Sequence, residues 1–479
     1  MIQTSFNNTY KTFIQIGYLI LTVILIGSVY FYQERVFYTD SANQLFHMVN
    51  EKSFTIFVER YSMYLNQSLP MIFVALGSSI KTIGLSYSIS FILVHILCFT
   101  ICWYIFKNIE ACILILTCLI MYRHAFYHAI SETYMFMAYG ALFYAFLSYQ
   151  VHAKMSNVLF FVISIFLILL NYFMHPVTLF TTLFALVFIP LFYNEYRKPK
   201  YYILLVFLLC IYLQKFFFPG ETHNTSFFDE LKHADIILPN IFTSYPIHFI
   251  MHRTNIYSLP LLLLGISTAI YVYHKKWLLL TFQLLFIIGF FLITAITFHN
   301  GDSDMSMEAR FAPLYFFIAL PLFAIAKENM KVFTLTFTIT ILMLGYSLAV
   351  IYNTGIDGYS SRLDYLTSIV NKAAITYPNK KFIVKFNDLN KDKLLVVWGS
   401  SYETMLLSTL NDPKNCVSLF IEEDNVNLRE QVYTEKDLFL YTTWWAYHSQ
   451  NELNKERFDL KELPYKRITS ELIEKIPTE

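Results

Sequence analysis

The sequence predicts an α-helical multi-pass membrane protein of about eleven transmembrane helices, ending in a small C-terminal α/β domain. Three observations predict it. Hydrophobic residues make up 56% of the 479-residue chain and charged residues only 14%, against about a quarter in a soluble protein. Apolar runs near the ~20 residues needed to cross a bilayer recur as far as Thr354. Beyond Thr354 charge returns and the apolar runs shorten to strand length. The chain therefore divides into a membrane region, 1–354, and an α/β tail, 355–479.

The expected crossings are 12–32, 84–106, 110–122, 133–149, 157–174, 177–193, 201–218, 257–273, 277–297, 311–326 and 332–352. No small-residue cleavage site follows the first run, so it is read as a retained helix rather than a signal peptide. Alternate short loops carry Lys107, Lys154, Arg197, Lys198, Lys200, Lys275, Lys276, Lys327 and Lys331. The positive-inside rule puts those loops in the cytoplasm, with the amino terminus inside and, for an odd number of crossings, the tail outside. The remaining loops are longer and hold Asp40, Glu59, His124, His128, Glu132, His175 and Glu308. Chemistry is thus expected on the extracytoplasmic face, where ATP and nucleotide sugars are absent.

In the first outer loop, 33–83, Phe54, Phe57, Tyr61, Tyr64 and Leu65 recur at helical spacing, with Glu59, Arg60 and Ser62 between them. This pattern predicts a helix lying in the interface plane, broken at Asn66–Pro70 and followed by a second short interfacial or half-inserted helix over Met71–Leu76. The outer segment 215–257 contains Pro219-Gly220, Pro239 and Pro246, which predict a loop with a short helix over 227–237. In the tail, strands are expected at 381–386, 394–398, 417–421 and 438–441, with helices at 361–375 and 401–410. That alternation suggests a partly parallel sheet.

A net charge of +1 with no basic tract excludes a nucleic-acid binder. Cys98, Cys102, Cys112, Cys118 and Cys210 fall in apolar runs and only Cys416 in a polar region, so no structural disulfide is expected.

Asp40 leads the candidate residues. It follows the first span at once, where a carboxylate can act as general base on a substrate delivered by the lipid. The plain alternative is a solvated loop acid. Arg310, Arg123 and Arg60 are the outer cations suited to a phosphate, which the planar guanidinium grips with paired hydrogen bonds. A helix-end anchor at the headgroups is the rival reading for Arg310. His124, His128 and Glu132 are four residues apart and would share one helical face. With Asp40 they could ligate a divalent metal, although polar residues capping short spans are the preferred reading and no cofactor is assigned. His175-Pro176 reads as a helix break, and Asp302, Asp304 and Glu308 as an acidic loop. Gly399-Ser400-Ser401 between a strand and a helix is a faint phosphate signal, and Trp444-Trp445 fit either a sugar face or a core. No chemistry is assigned to the tail.

The order of these elements resembles the membrane glycosyltransferases of the GT-C class, such as the protein O-mannosyltransferases and the aminoarabinose-lipid A transferases. Tyr38-Thr39-Asp40 stands where those enzymes carry an Asp after the first span. Gln67 to Gly77 looks like their proline-led stretch before the second span. Ser131-Glu132-Thr133-Tyr134 matches a charged position at the outer end of the fourth span, and His175-Pro176 a polar-proline break. The likeness covers roughly residues 10–200. Ser41 follows Asp40 here where many members have Glu, which leaves the acceptor type and any metal role open.

The resemblance implies a polyprenyl-phosphate-linked sugar as donor and a glycan, lipid or protein as acceptor. It implies Asp40 as base, with Arg60, Arg123, His128, Glu132, His175, Glu308 and Arg310 around the substrate. With the heavy use of Phe, Tyr, Ile, Asn and Lys, it points to the cytoplasmic membrane of a bacterium. The rivals are a transporter or flippase of lipid-linked glycans, a glycan polymerase or ligase, and a noncatalytic membrane scaffold.

Overall fold

The computed structural model describes residues 2–128, 132–153, 155–217, 234–252, 259–301, 304–423, 428–443 and 446–469. The fold is a helical bundle carrying a small sheet domain at one end.

The chain opens with α1 (Ile2–Tyr30), a short α2 (Tyr32–Val36), α3 (Thr39–Glu51) and α4 (Tyr64–Ala75). The bundle continues through α5 (Ile80–Tyr104), α6 (Ile109–Ile120), α7 (Glu132–His152), α8 (Asn157–Tyr172), α9 (Thr178–Phe192) and α10 (Pro199–Phe217). Two short helices, α11 (Ala234–Ile237) and α12 (Tyr245–His252), precede α13 (Leu259–Tyr273), α14 (Trp277–Thr297), α15 (Asp304–Ala326) and α16 (Met330–Thr354). Several start where the sequence supplies a cap: Ser79, Asn108, Ser156 and Asn329 each accept a first-turn N–H and satisfy a donor that the helix leaves open.

Each expected crossing overlaps a helix among the described residues, but only some of these helices reach bilayer length. Five candidate spans are long and apolar enough to cross a bilayer: Thr9–Tyr30, Ile80–Tyr104, Trp277–Thr297, Asp304–Ala326 and one within Met330–Thr376. Shorter apolar helices lie at Ile109–Ile120, Asn157–Tyr172, Thr178–Phe192, Pro199–Gln214 and Leu259–Tyr273. The chain is a helical membrane protein. Leu19, Ile26, Phe166, Leu278 and Leu342 are each more than 60% exposed, as lipid-facing side chains are. α15 forms the centre, packed against α6, α7, α13 and α14, and its side chains from Phe311 to Ala326 are almost all buried.

The two ends of the bundle are closed by different polar contacts. Lys327, beyond α15, pairs with Glu110 at the start of α6, and Lys276 pairs with Glu328 beside it. At the other end Arg457 of the tail donates to the Ser78 carbonyl at 2.6 Å, just before α5.

The junction at 354/355 is not a linker. α16 runs through a wide turn, Gly355–Ser360, directly into α17 (Ser361–Thr376), making one 47-residue helical run. The tail then adds β1 (Lys381–Lys385), α18 (Ser400–Ser408), β2 (Ser418–Glu422), β3 (Leu438–Leu440), β4 (Tyr447–Ser449) and β5 (Lys466–Arg467). β1 lies between β2 and β5, parallel to both, with Ile383 opposite Phe420 and Arg467. β3 and β4 pair antiparallel.

The expected strand at 394–398 does not form. Leu395 adopts a left-handed φ of 53°, and the buried Arg362 side chain takes the carbonyls of Leu394 and Val396 that a ladder would need. The expected interfacial helix over residues 54–65 is also absent. Val58 and Glu59 are left-handed, at φ 53° and 58°, and the helix starts only at Tyr64 and runs through Pro70. In the segment 215–257 the described residues are 215–217, which end α10, and 234–252, which hold α11, the turn Leu238–Thr243 and α12; of the short helix expected over 227–237, residues 227–233 lie outside the described residues.

Candidate functional site

Asp40 sits in the first turn of α3 with its side chain exposed. A carboxylate there is favoured by the helix dipole. The residue before it is held hard. Thr39 is β-branched yet has φ 41°, a left-handed conformation that such a residue seldom adopts. Its N–H donates to Glu403 Oε1 at 2.7 Å, and its carbonyl accepts from the Tyr402 hydroxyl at 3.3 Å. Glu403 Oε2 in turn accepts from Arg362 Nη2 at 2.5 Å, in an ion pair whose members are 0% and 2% exposed. Glu403 and Tyr402 ride on α18 and Arg362 on α17, so the tail fixes the backbone that presents Asp40.

Tyr38 links this turn to a second polar group. Its ring lies 4.7 Å below the Arg362 guanidinium and edge-on to His128 at 5.3 Å and Tyr359 at 5.1 Å. Burial pushes its phenol well above the usual range. His124 Nδ1 bonds the Tyr359 hydroxyl at 3.0 Å. Glu308 is completely buried and accepts the backbone N–H groups of Arg123 and His124 at 3.2 and 2.8 Å. Arg123 Nη2 reaches Asp304 at 2.7 Å.

The site residues read from the sequence thus separate. Asp40, Arg123, His128 and Glu308 gather around Tyr38 and the start of α15. Glu308 and Arg123 hold the loop after α6 to α15, so their first role is structural. His124 and His128 do not share a helical face: a single tight turn, Ala125–Tyr127, separates them, and they point at different tyrosines. Burial holds the His128 imidazole down to about 4, and its Nε2 has no hydrogen-bond partner among the described residues.

Glu132 opens α7, but its side chain lies outside the described residues, as do Asp302, Trp444 and Trp445. His175 belongs to a turn: its Nδ1 accepts from the Val177 N–H at 3.2 Å and its ring stacks on Phe136. Arg60 lies where the 52–60 loop meets the end of α8, beside Ser62, whose hydroxyl donates to the Leu170 carbonyl at 2.6 Å. Arg310 is half-buried with its guanidinium over Phe298. Gly399-Ser400-Ser401 makes an internal joint, with Ser401 Oγ bonded to Ser418 Oγ at 2.6 Å. Among the described residues no group of His, Cys, Asp or Glu is arranged to hold a metal ion.

Sequence reading missed Arg362, Tyr402 and Glu403, because no spacing links residues 39, 362 and 403. It also missed Gln44, whose buried amide oxygen accepts from Gln67 and Tyr87, each at 2.9 Å, tying α3 to α4 and α5. An amide on the apolar side of an amphipathic stretch was the available signal. Arg35 is fully buried, bonded to Ser88 Oγ at 2.8 Å and the Phe126 carbonyl, with the Phe126 ring 4.1 Å away.

Compared with known proteins, the chain matches no family model, no curated protein and no solved structure.

Proposed function

We propose that the chain is a membrane glycosyltransferase of GT-C type, with about eleven crossings and its tail on the extracytoplasmic face of the cytoplasmic membrane. It moves a sugar from a polyprenyl-phosphate donor to a glycan, lipid or protein acceptor. One observation carries the reading: an exposed carboxylate, Asp40, stands where the first long helix ends, on a strained turn that a buried ion pair holds in place. Strain of roughly 1–3 kcal/mol kept at one turn is characteristic of sites where geometry matters.

In this reading Asp40 takes the proton of the acceptor hydroxyl or amine. The acceptor atom bonds to the anomeric carbon, the bond from that carbon to the phosphate oxygen breaks, and the electron pair leaves with the lipid phosphate. Arg310 and Arg60 are the cations assigned to the departing charge. A flippase would place acids and bases along a path through the bundle. Here the charged residues of the candidate spans and shorter apolar helices, Lys11, Lys81, Glu110, Glu308, Arg310 and Lys331 among them, lie within about two turns of a span's end, which favours transfer at one face.

The test is transfer from a labelled polyprenyl-phosphate sugar by purified protein. Wild type transfers label and Asp40→Asn, equally well folded, does not. Full activity in Asp40→Asn overturns the assignment.

A further inference from the structure

The end of the bundle opposite Asp40 contains a cleft of about 380 Å³. It is formed by the α5–α6 turn, the last turn of α7, the residue after α9 and the residue after α15. At its base Lys327 Nζ is bound by Glu110 and by the Tyr193 hydroxyl at 3.1 Å, and Ser148 Oγ joins that hydroxyl at 3.1 Å. The His152 ring stands edge-on to Tyr193 at 5.3 Å. Lys107 is exposed at the rim.

The charges in this cleft do not cancel. Glu110 is committed to Lys327, which leaves Lys107 as a second positive charge over a floor of hydroxyl and imidazole groups. The volume lies in the range of small-molecule sites, roughly 300–1,000 Å³, and suits a headgroup rather than a long glycan. The rim identifies the direction of entry. Tyr104 and Ile105, just before the cleft, are each 58% exposed, and the Lys107 ammonium lies 5.6 Å from the Tyr104 ring. An apolar rim topped by a lysine is the arrangement found at the boundary of acyl chains and headgroups.

We infer that this cleft binds the phosphate of an anionic glycerophospholipid that enters from the bilayer. Lys107 faces the phosphate above the Lys327–Glu110 pair, and Ser148 and His152 hold its oxygens or the glycerol. This site is independent of any sugar transfer at Asp40.

The test uses the purified full-length chain, stripped of lipid and titrated with phosphatidylglycerol, phosphatidylcholine or inorganic phosphate under native mass spectrometry. Wild type retains phosphatidylglycerol in preference to phosphatidylcholine. Lys107→Gln weakens that retention about fivefold, and His152→Gln weakens it further. Lys275→Gln, a lysine on another loop of the same end, leaves it unchanged. Phosphatidylglycerol binding as tight in Lys107→Gln as in wild type overturns the inference. So does an equal loss in Lys275→Gln, or capture of inorganic phosphate with no preference between the lipids.

Discussion

Asp40 is exposed, while the peptide on its amino side is clamped from both ends. Replacing Asp40 by Asn removes the base but keeps the shape, and transfer should fall by about 10²–10⁴-fold in the labelled-sugar assay. Thr39→Gly tests the clamp differently. Glycine accepts a φ of 41° without penalty, so the thermal unfolding midpoint should hold or rise, by roughly 1 kcal/mol of relieved strain, while transfer falls as the turn loosens. Glu403→Gln leaves Arg362 buried without its counter-charge and should cost roughly 3 kcal/mol, read as a lowered unfolding midpoint. Adding Arg362→Met should recover part of that loss, because the second change removes the stranded charge.

At the level of elements, α3 is where reading from sequence and the folded chain diverge most usefully. The sequence places its residues in the outer loop 33–83, where helices are expected only from Phe54 onward. In the structure Thr39, Ser41, Ala42, Gln44, Leu45, Phe46, Met48 and Val49 are all buried, because α3 has the tail on one side and α4 and α5 on the other. Phe46 meets Phe458 at 5.0 Å and Tyr441 at 5.5 Å, contacts no local pattern could announce. The long spans were legible since apolar runs of bilayer length have one outcome in lipid. Pairings such as Arg362 with Glu403, or Gln44 with Gln67, depend on the fold and leave no periodic trace.

The loop after α6 supplies a pH test. His128 titrates near 4 in the fold against 6.5 in the open chain. As pH falls the unfolded chain gains the proton first, so the stability tied to this group is complete above pH 6.5 and is lost as pH falls toward about 4. The unfolding midpoint of wild type should therefore drop more between pH 7 and about 4.5 than that of His128→Gln, compared by thermal melts at the two pH values.

For the molecule as a whole, the lysine-rich end and the tail-bearing end must face opposite compartments if the bundle crosses the membrane. A cysteine at Glu456, exposed on the tail, should react with an impermeant maleimide on intact cells. A cysteine at exposed Lys198 should react only after the membrane is opened. The reverse result would place Asp40 in the cytoplasm and remove the case for a lipid-linked donor.

The grip of residues 402–458 on α3 also sets an order of events during biosynthesis. Thr39 waits for Glu403, Asn43 and His47 for Tyr441, and Asn50 for Asn454, partners separated from them by most of the polypeptide. Contacts so distant along the chain form late and slowly. The helices can enter the bilayer as they leave the ribosome, but the Asp40 turn stays unmade until residues 402–458 have been translated. A chain terminated before residue 402 would thus be inserted with its first loop unlocked, since that loop is completed by a segment made about 360 residues later.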